Sequence, residues 1–167
     1  AKEKILLDAM NEGLDEFFEG LKMCLDKLYT FGVKQVPTKD EVVAGQGCPW
    51  NVFKDLAEKL YNRELTGHNA RDAINLVMSS ATAEQWNGFY RRILIKDLRC
   101  GVSEKTVNNV AKKNGFDKYK VPVFTCQLAH DSANHEKKMV GPKQIEIKLD
   151  GVRVLTVIKD GKVEMFS

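Results

Sequence analysis

Apolar residues recur at three- and four-residue steps from Leu6 through Met10, Leu14, Phe17, Leu21 and Leu25 to Leu28, a spacing that lays one apolar stripe along a helix. The pattern predicts a single long amphipathic helix ending near Gly32. Thr38 and Glu41 have capping-box spacing, which predicts a short helix there. Pro49 suits the first turn of a helix running to about Glu64. Further helices are expected from Asn69 through Met78, from the Thr82 and Gln85 pair through Leu98, and from a Ser103 cap through Lys113, with Gly67, Gly101 and Gly115 punctuating the series. Near Lys118 the character changes. Val121-Pro122-Val123-Phe124 reads as extended chain, the segment to Pro142 as loop, and from Gln144 onward apolar and polar residues alternate as in a strand. Asp-Gly pairs at Asp150-Gly151 and Asp160-Gly161 are the turn chemistry of hairpins. The expected fold class is therefore α+β, with an all-helical domain over residues 1–118 and antiparallel strands over 119–167.

Composition narrows this picture. An apolar fraction of 43% is enough to build a core, so a disordered chain is excluded. No apolar run approaches the roughly 18 residues of a membrane span, and no basic leader precedes a hydrophobic stretch, so a soluble, cytoplasmic protein without a membrane partner is expected. Cys24, Cys48, Cys100 and Cys126 lie far apart, and His68, His130 and His135 fall at no zinc-site spacing with them. Reduced thiols and no structural metal are expected.

The net charge of +3 is unevenly distributed: residues 1–60 hold 8 basic and 11 acidic side chains, whereas residues 85–120 hold 9 and 3. Such asymmetry suits one face that meets a polyanion. Arg92, Lys96 and Arg99, spaced four and three apart, would share a helical stripe with Arg91 beside it, and Lys105, Lys112 and Lys113 continue the charge on the next helix. The helix starts at Asn69 and Ser103, each shortly after a glycine (Gly67 and Gly101), would offer free backbone amides to phosphate oxygens. An ordinary solvated face accounts for the same charges.

The densest chemistry lies in Glu146-Ile-Lys-Leu-Asp-Gly-Val-Arg153. A lysine in an apolar run beside a tight turn can act as a nitrogen nucleophile, because the turn fixes where its amine sits. A plain hairpin, with Glu146, Lys148 and Asp150 on its wet face, fits the same residues. Four fixed residue types at this spacing arise by chance in only one chain in ~10³ of this length. The motif resembles the first signature of the covalent nucleotidyltransferases: ATP-dependent DNA ligases, RNA ligases and messenger RNA capping enzymes. Arg63-Glu-Leu-Thr-Gly67-His-Asn-Ala70, and Tyr90 to Ser103 with its Lys96-Asp-Leu-Arg-Cys-Gly-Val-Ser103 stretch, resemble the helical DNA-binding domain of ATP-dependent DNA ligases, most nearly of the bacteriophage T4 type. Small RNA ligases and capping enzymes lack such a domain. The resemblance spans nearly the whole chain.

The resemblance implies an N-terminal ligase fragment from a bacterial or phage-infected host cell: a DNA-binding domain and the first antiparallel strands of an ATP-grasp-like nucleotidyltransferase domain. It implies ATP and Mg²⁺ as cofactors and nicked duplex DNA as partner, with function in replication, repair and recombination; a monomer is expected. Lys148 would carry AMP. Glu146 and the backbone of Ile147 would recognise adenine, Arg153 would sit beside the nucleotide, and Asp150 and Gly151 would shape the loop. Gly67, Asn69, Arg91, Arg92, Lys96, Arg99, Gly101, Ser103 and Lys105 would grip the duplex backbone. Later signatures of such enzymes, including their metal-binding carboxylates, are not among these residues, so this chain alone is expected to be inactive. Another lysine nucleotidyltransferase, or a non-catalytic duplex-binding module, is the alternative.

Overall fold

The computed structural model describes residues 1–42, 44–126, 131–147 and 150–166. It divides into two compact units, Ala1–Phe124 and Thr125–Ser167.

In the first unit the long helix expected at the start is two: α1 (Lys2–Asn11) and α2 (Asp15–Leu25). The apolar spacing runs through the break without interruption, but Gly13 takes a left-handed φ of +70°. Its N–H donates to Met10 O (3.2 Å) and that of Leu14 to Ala9 O (3.2 Å), the paired bonds of a Schellman stop. Residues past Leu25 leave the helix well before Gly32.

No helix forms at Thr38 either. Here the chain is held extended by side-chain bonds: Lys39 N donates to Asn87 Oδ1 (2.9 Å), Asn87 Nδ2 to Lys39 O (2.7 Å), and Trp86 Nε1 to Pro37 O (2.9 Å). Lys39 is 5% exposed. Its ammonium donates to the carbonyls of Met78 (2.9 Å), Ser79 (2.8 Å) and Ala81 (2.6 Å), closing the C-terminal end of the helix those residues finish. Burying an amine on three carbonyls outweighs a local capping box.

Next come α3 (Trp50–Tyr61), entered from Pro49, and α4 (Gly67–Ser80), which begins before Asn69 because Thr66 is already extended. Thr82 caps α5 (Ala83–Gln85), its side chain accepting from Gln85 N as the spacing predicts. A π turn over Trp86–Tyr90 and then α6 (Arg91–Leu94) continue without a break. Ser103 caps α7 (Glu104–Asn114), which Gly115 ends at φ +75°.

Two apolar clusters fill this unit. One gathers Phe53, Leu60, Ile74, Trp86, Tyr90 and Ile93. The other joins α1, α2 and α7 through Leu6, Phe18, Leu21, Val107 and Val110, and includes Tyr119 and Val121. The helical unit therefore reaches past residue 118. Tyr119 stacks on Phe18 at 4.1 Å and donates its hydroxyl to Asp15 Oδ1 (2.6 Å), while Val121 exchanges two bonds with the Asn108 side chain. The Tyr119 hydroxyl and the Lys118 ammonium hold the Asp15 carboxyl below its usual range.

Tyr90 is 3% exposed; its hydroxyl donates to Cys48 O (2.8 Å) and accepts from Gln85 Nε2 (3.1 Å). Burial pushes its pKa, and that of Tyr29, up to about 12 from 10. A raised folded pKa contributes stability that is complete below pH 10 and is lost as pH rises through 12. Alkaline unfolding in that window is expected, with a shallower pH slope for Tyr90→Phe; equal slopes in a denaturant series would contradict the assignment.

Among its described residues the second unit holds one antiparallel hairpin, β1 (Leu155–Lys159) and β2 (Lys162–Phe166), turned at Asp160-Gly161 with φ of +51° and +75°. The protein is thus α+β with a two-stranded C-terminal sheet. The described residues between Gln144 and Val154 form no strand. A strand exists only through a ladder partner, and these residues have none among the described ones. Ile145 and Ile147 are 94% and 88% exposed.

Candidate nucleic-acid interface

Three cationic residues hold a backbone conformation that favours glycine: Arg63 (φ +62°), Lys96 (φ +59°) and Arg99 (φ +50°). Each such residue costs roughly 1–2 kcal/mol, so it persists only where its surroundings fix it. Arg63 ends α3, where its N–H donates to Leu60 O (3.2 Å) and that of Glu64 to Lys59 O (3.0 Å). Lys96 ends α6 in the same way, with Lys96 N on Ile93 O (3.0 Å) and Asp97 N on Arg92 O (3.0 Å). Both are Schellman stops with a long cation in the glycine position.

The stop at Lys96 overturns the expected stripe. The helix ends at Leu94, not Leu98, so Arg92, Lys96 and Arg99 do not share a helical face. Lys96 is turned inward: its ammonium donates to Met23 O (2.7 Å), Asp26 O (2.5 Å) and Tyr29 O (2.6 Å), the carbonyls in and just past the last turn of α2. Burial pushes its pKa down to about 8. The amine ties α2 to the end of α6, leaving little of it to meet a phosphate. Arg92 is half-buried, and its Nη1 is enclosed without a hydrogen-bond partner.

Past Lys96 the chain forms a loop, Asp97–Ser103, whose polar residues are exposed while Leu98 and Val102 pack against the apolar clusters. Asp97 Oδ1 accepts from Arg99 N (3.0 Å), an Asx turn that sets the left-handed Arg99, and Asp97 Oδ2 pairs with Arg99 Nε at 3.4 Å. Gly101, at φ +62°, offers its carbonyl to Lys2 Nζ (3.1 Å). Ser103 Oγ accepts from Thr106 N (3.3 Å), and Lys105 is exposed in the first turn of α7. Arg99, Gly101 and Ser103 thus lie in the stretch that leads into α7, and Lys105 follows Glu104 in its first turn.

Gly67 and Arg91 meet elsewhere, in a groove of about 900 Å³ between the extended Phe31–Pro37 segment and the N-terminal half of α4. Gly67 (φ +54°) starts α4 behind Thr66, whose side chain makes no cap, and Asn69 is exposed in the same turn. Arg91 Nε donates to Val36 O (2.9 Å).

Two solved structures are similar to this chain. They are described as "Pmar-Lig_Pre." and "Pmar-Lig_PreS3", and match over 99% of the chain at 66% and 67% identity, each with a TM-score of 0.75. The chain spans 38% of the length of each. No family model and no curated protein matches.

In the second unit Lys148 lies outside the described residues, as does Leu149. Glu146 is exposed and its Oε1 accepts from Gln144 Nε2 (2.6 Å); Ile147, Asp150, Gly151 and Arg153 are exposed in the stretch before β1. Among the described residues no three His, Cys, Asp or Glu side chains gather to hold a metal ion. The described residues also contain no helix long and apolar enough to cross a membrane.

Local pattern missed the groove's other cations, Lys34, Arg63 and Arg71. They come from separate segments, and only tertiary packing assembles them.

Proposed function

We propose that this chain is part of an ATP-dependent DNA ligase, in which the helical unit holds duplex DNA by its backbone and the second unit begins the adenylation domain. The observation that carries this is the Asp97–Ser103 loop: Arg99 in a fixed left-handed turn, then Gly101, then the Ser103-capped start of α7, all exposed. Such a loop offers a cation and a helix's positive end to phosphates without reading bases. A nick can lie in any sequence, so backbone contact is what its sealing needs. The "Lig" in the names of both similar structures supports a ligase. The Lys148 motif supplies the chemistry: the Lys148 amine attacks the α-phosphorus of ATP and pyrophosphate leaves, the AMP passes to the 5′-phosphate at a nick, and the adjoining 3′-hydroxyl displaces it.

Titrating binding of labelled nicked duplex against salt tests the helical unit's role. Log Kd is expected to rise steeply and linearly with log salt, with little dependence on sequence. A flat salt response, or no binding at low salt, would refute the proposal.

A further inference from the structure

The groove beside α4 is a second charged surface, separate from the Asp97–Ser103 loop. Its lining includes Lys34, Arg63, Arg71 and Arg91 and not one carboxylate. That composition stands out against the first sixty residues, where acidic side chains outnumber basic ones by 11 to 8. Like charges that converge without counter-charge repel one another, and an anionic occupant relieves the repulsion.

Two of the four cations are fixed in place. Arg63 donates from Nη2 to Thr30 Oγ1 (3.0 Å), and its guanidinium lies across Gly32, where an added Cβ would meet Nη1 at 1.7 Å. Gly32 is itself left-handed at φ +68°. The glycine therefore leaves the seat that the arginine occupies. Arg91 is anchored through Nε on Val36 O, so its terminal amines are not used in that bond. Arginines fixed before binding lose less side-chain entropy when they engage, and their planar forks match phosphate oxygens.

We propose that this groove is a second phosphodiester-binding site, which takes the backbone of one strand of duplex DNA through Lys34, Arg63, Arg71 and Arg91. The inference rests on the duplex-binding reading above and adds three residues, Lys34, Arg63 and Arg71, to it. The occupant is a run of phosphates and not a single anion, because a groove of about 900 Å³ is far larger than one phosphate fills.

The test uses the 167-residue chain and labelled nicked duplex, comparing the salt dependence of Kd for three proteins. Lys34→Gln with Arg71→Gln removes two exposed groove charges, and Lys4→Gln with Lys59→Gln removes two exposed charges from α1 and α3. Removing one phosphate-binding cation lowers the slope of log Kd against log salt by about 1, so the groove variant is expected to fall by about 2 and the control by less than about 0.5. Equal slopes for the two variants, with the unaltered chain binding normally, would overturn the groove alone. Absence of binding by the unaltered chain would overturn the duplex-binding reading and the groove with it.

Discussion

Lys148→Ala in the complete ligase polypeptide is expected to reduce strand joining by at least about 10⁴-fold, the scale of removing a covalent nucleophile. Duplex affinity should not change, since the proposed backbone contacts all lie in the Ala1–Phe124 unit. Lys148→Arg separates two explanations: arginine keeps the positive charge but has no lone pair to give at neutral pH. If the lysine only attracted phosphate, Lys148→Arg would retain most joining. If its amine forms the bond to phosphorus, Lys148→Arg is as inactive as Lys148→Ala. An ordinary lysine, with a pKa near 10.4, is almost fully protonated at pH 7, so the assembled site must also favour the free amine. Joining by the enzyme with Lys148 intact should therefore rise with pH.

The second large effect is on folding. Lys96→Met keeps the length of the side chain but strips the carbonyls of Met23, Asp26 and Tyr29 of their shared donor. It also leaves a non-glycine residue at φ +59° held by its backbone bonds alone, without the side-chain anchor. Losing a charged donor from enclosed carbonyls costs on the order of 2–4 kcal/mol. For a unit of this size that lowers Tm by about 10 °C. Scanning calorimetry of the two proteins decides the matter: a Tm within about 2 °C of the parent would mean that the inward amine does not hold α2 to α6. Duplex binding should weaken in proportion to the decline of the folded form, with the salt slope of the remaining fraction unchanged. A phosphate-contacting lysine would instead lower that slope by about 1.

These two lysines show what the sequence makes visible and what it hides. Local chemistry is readable where it is satisfied locally. Thr82 and Ser103 cap the helices that their spacing predicts, Pro49 leads into α3, and Asp160-Gly161 turns the hairpin. Where a distant partner intervenes, the pattern misleads. Apolar spacing continues through Gly13 because α1 and α2 both face apolar neighbours, so only the left-handed glycine marks the break. Lys39 and Lys96 look like solvated charges in sequence, yet each satisfies a helix end from another segment. The groove draws Lys34, Arg63, Arg71 and Arg91 from four separate segments of the chain, and no local period marks them as neighbours. The Lys148 motif is the reverse case: its message is in the residue types, while its lysine lies outside the described residues.

The most direct test of the ligase reading follows one phosphorus atom. The complete polypeptide is incubated with ATP labelled at the α-phosphate and with Mg²⁺, mapped by peptide mass spectrometry, and then given nicked duplex DNA. The account predicts AMP on the peptide containing Lys148, followed by its transfer to the 5′-phosphate at the nick. Label on a different residue, or label on Lys148 that passes to RNA ends but never to nicked DNA, would contradict it.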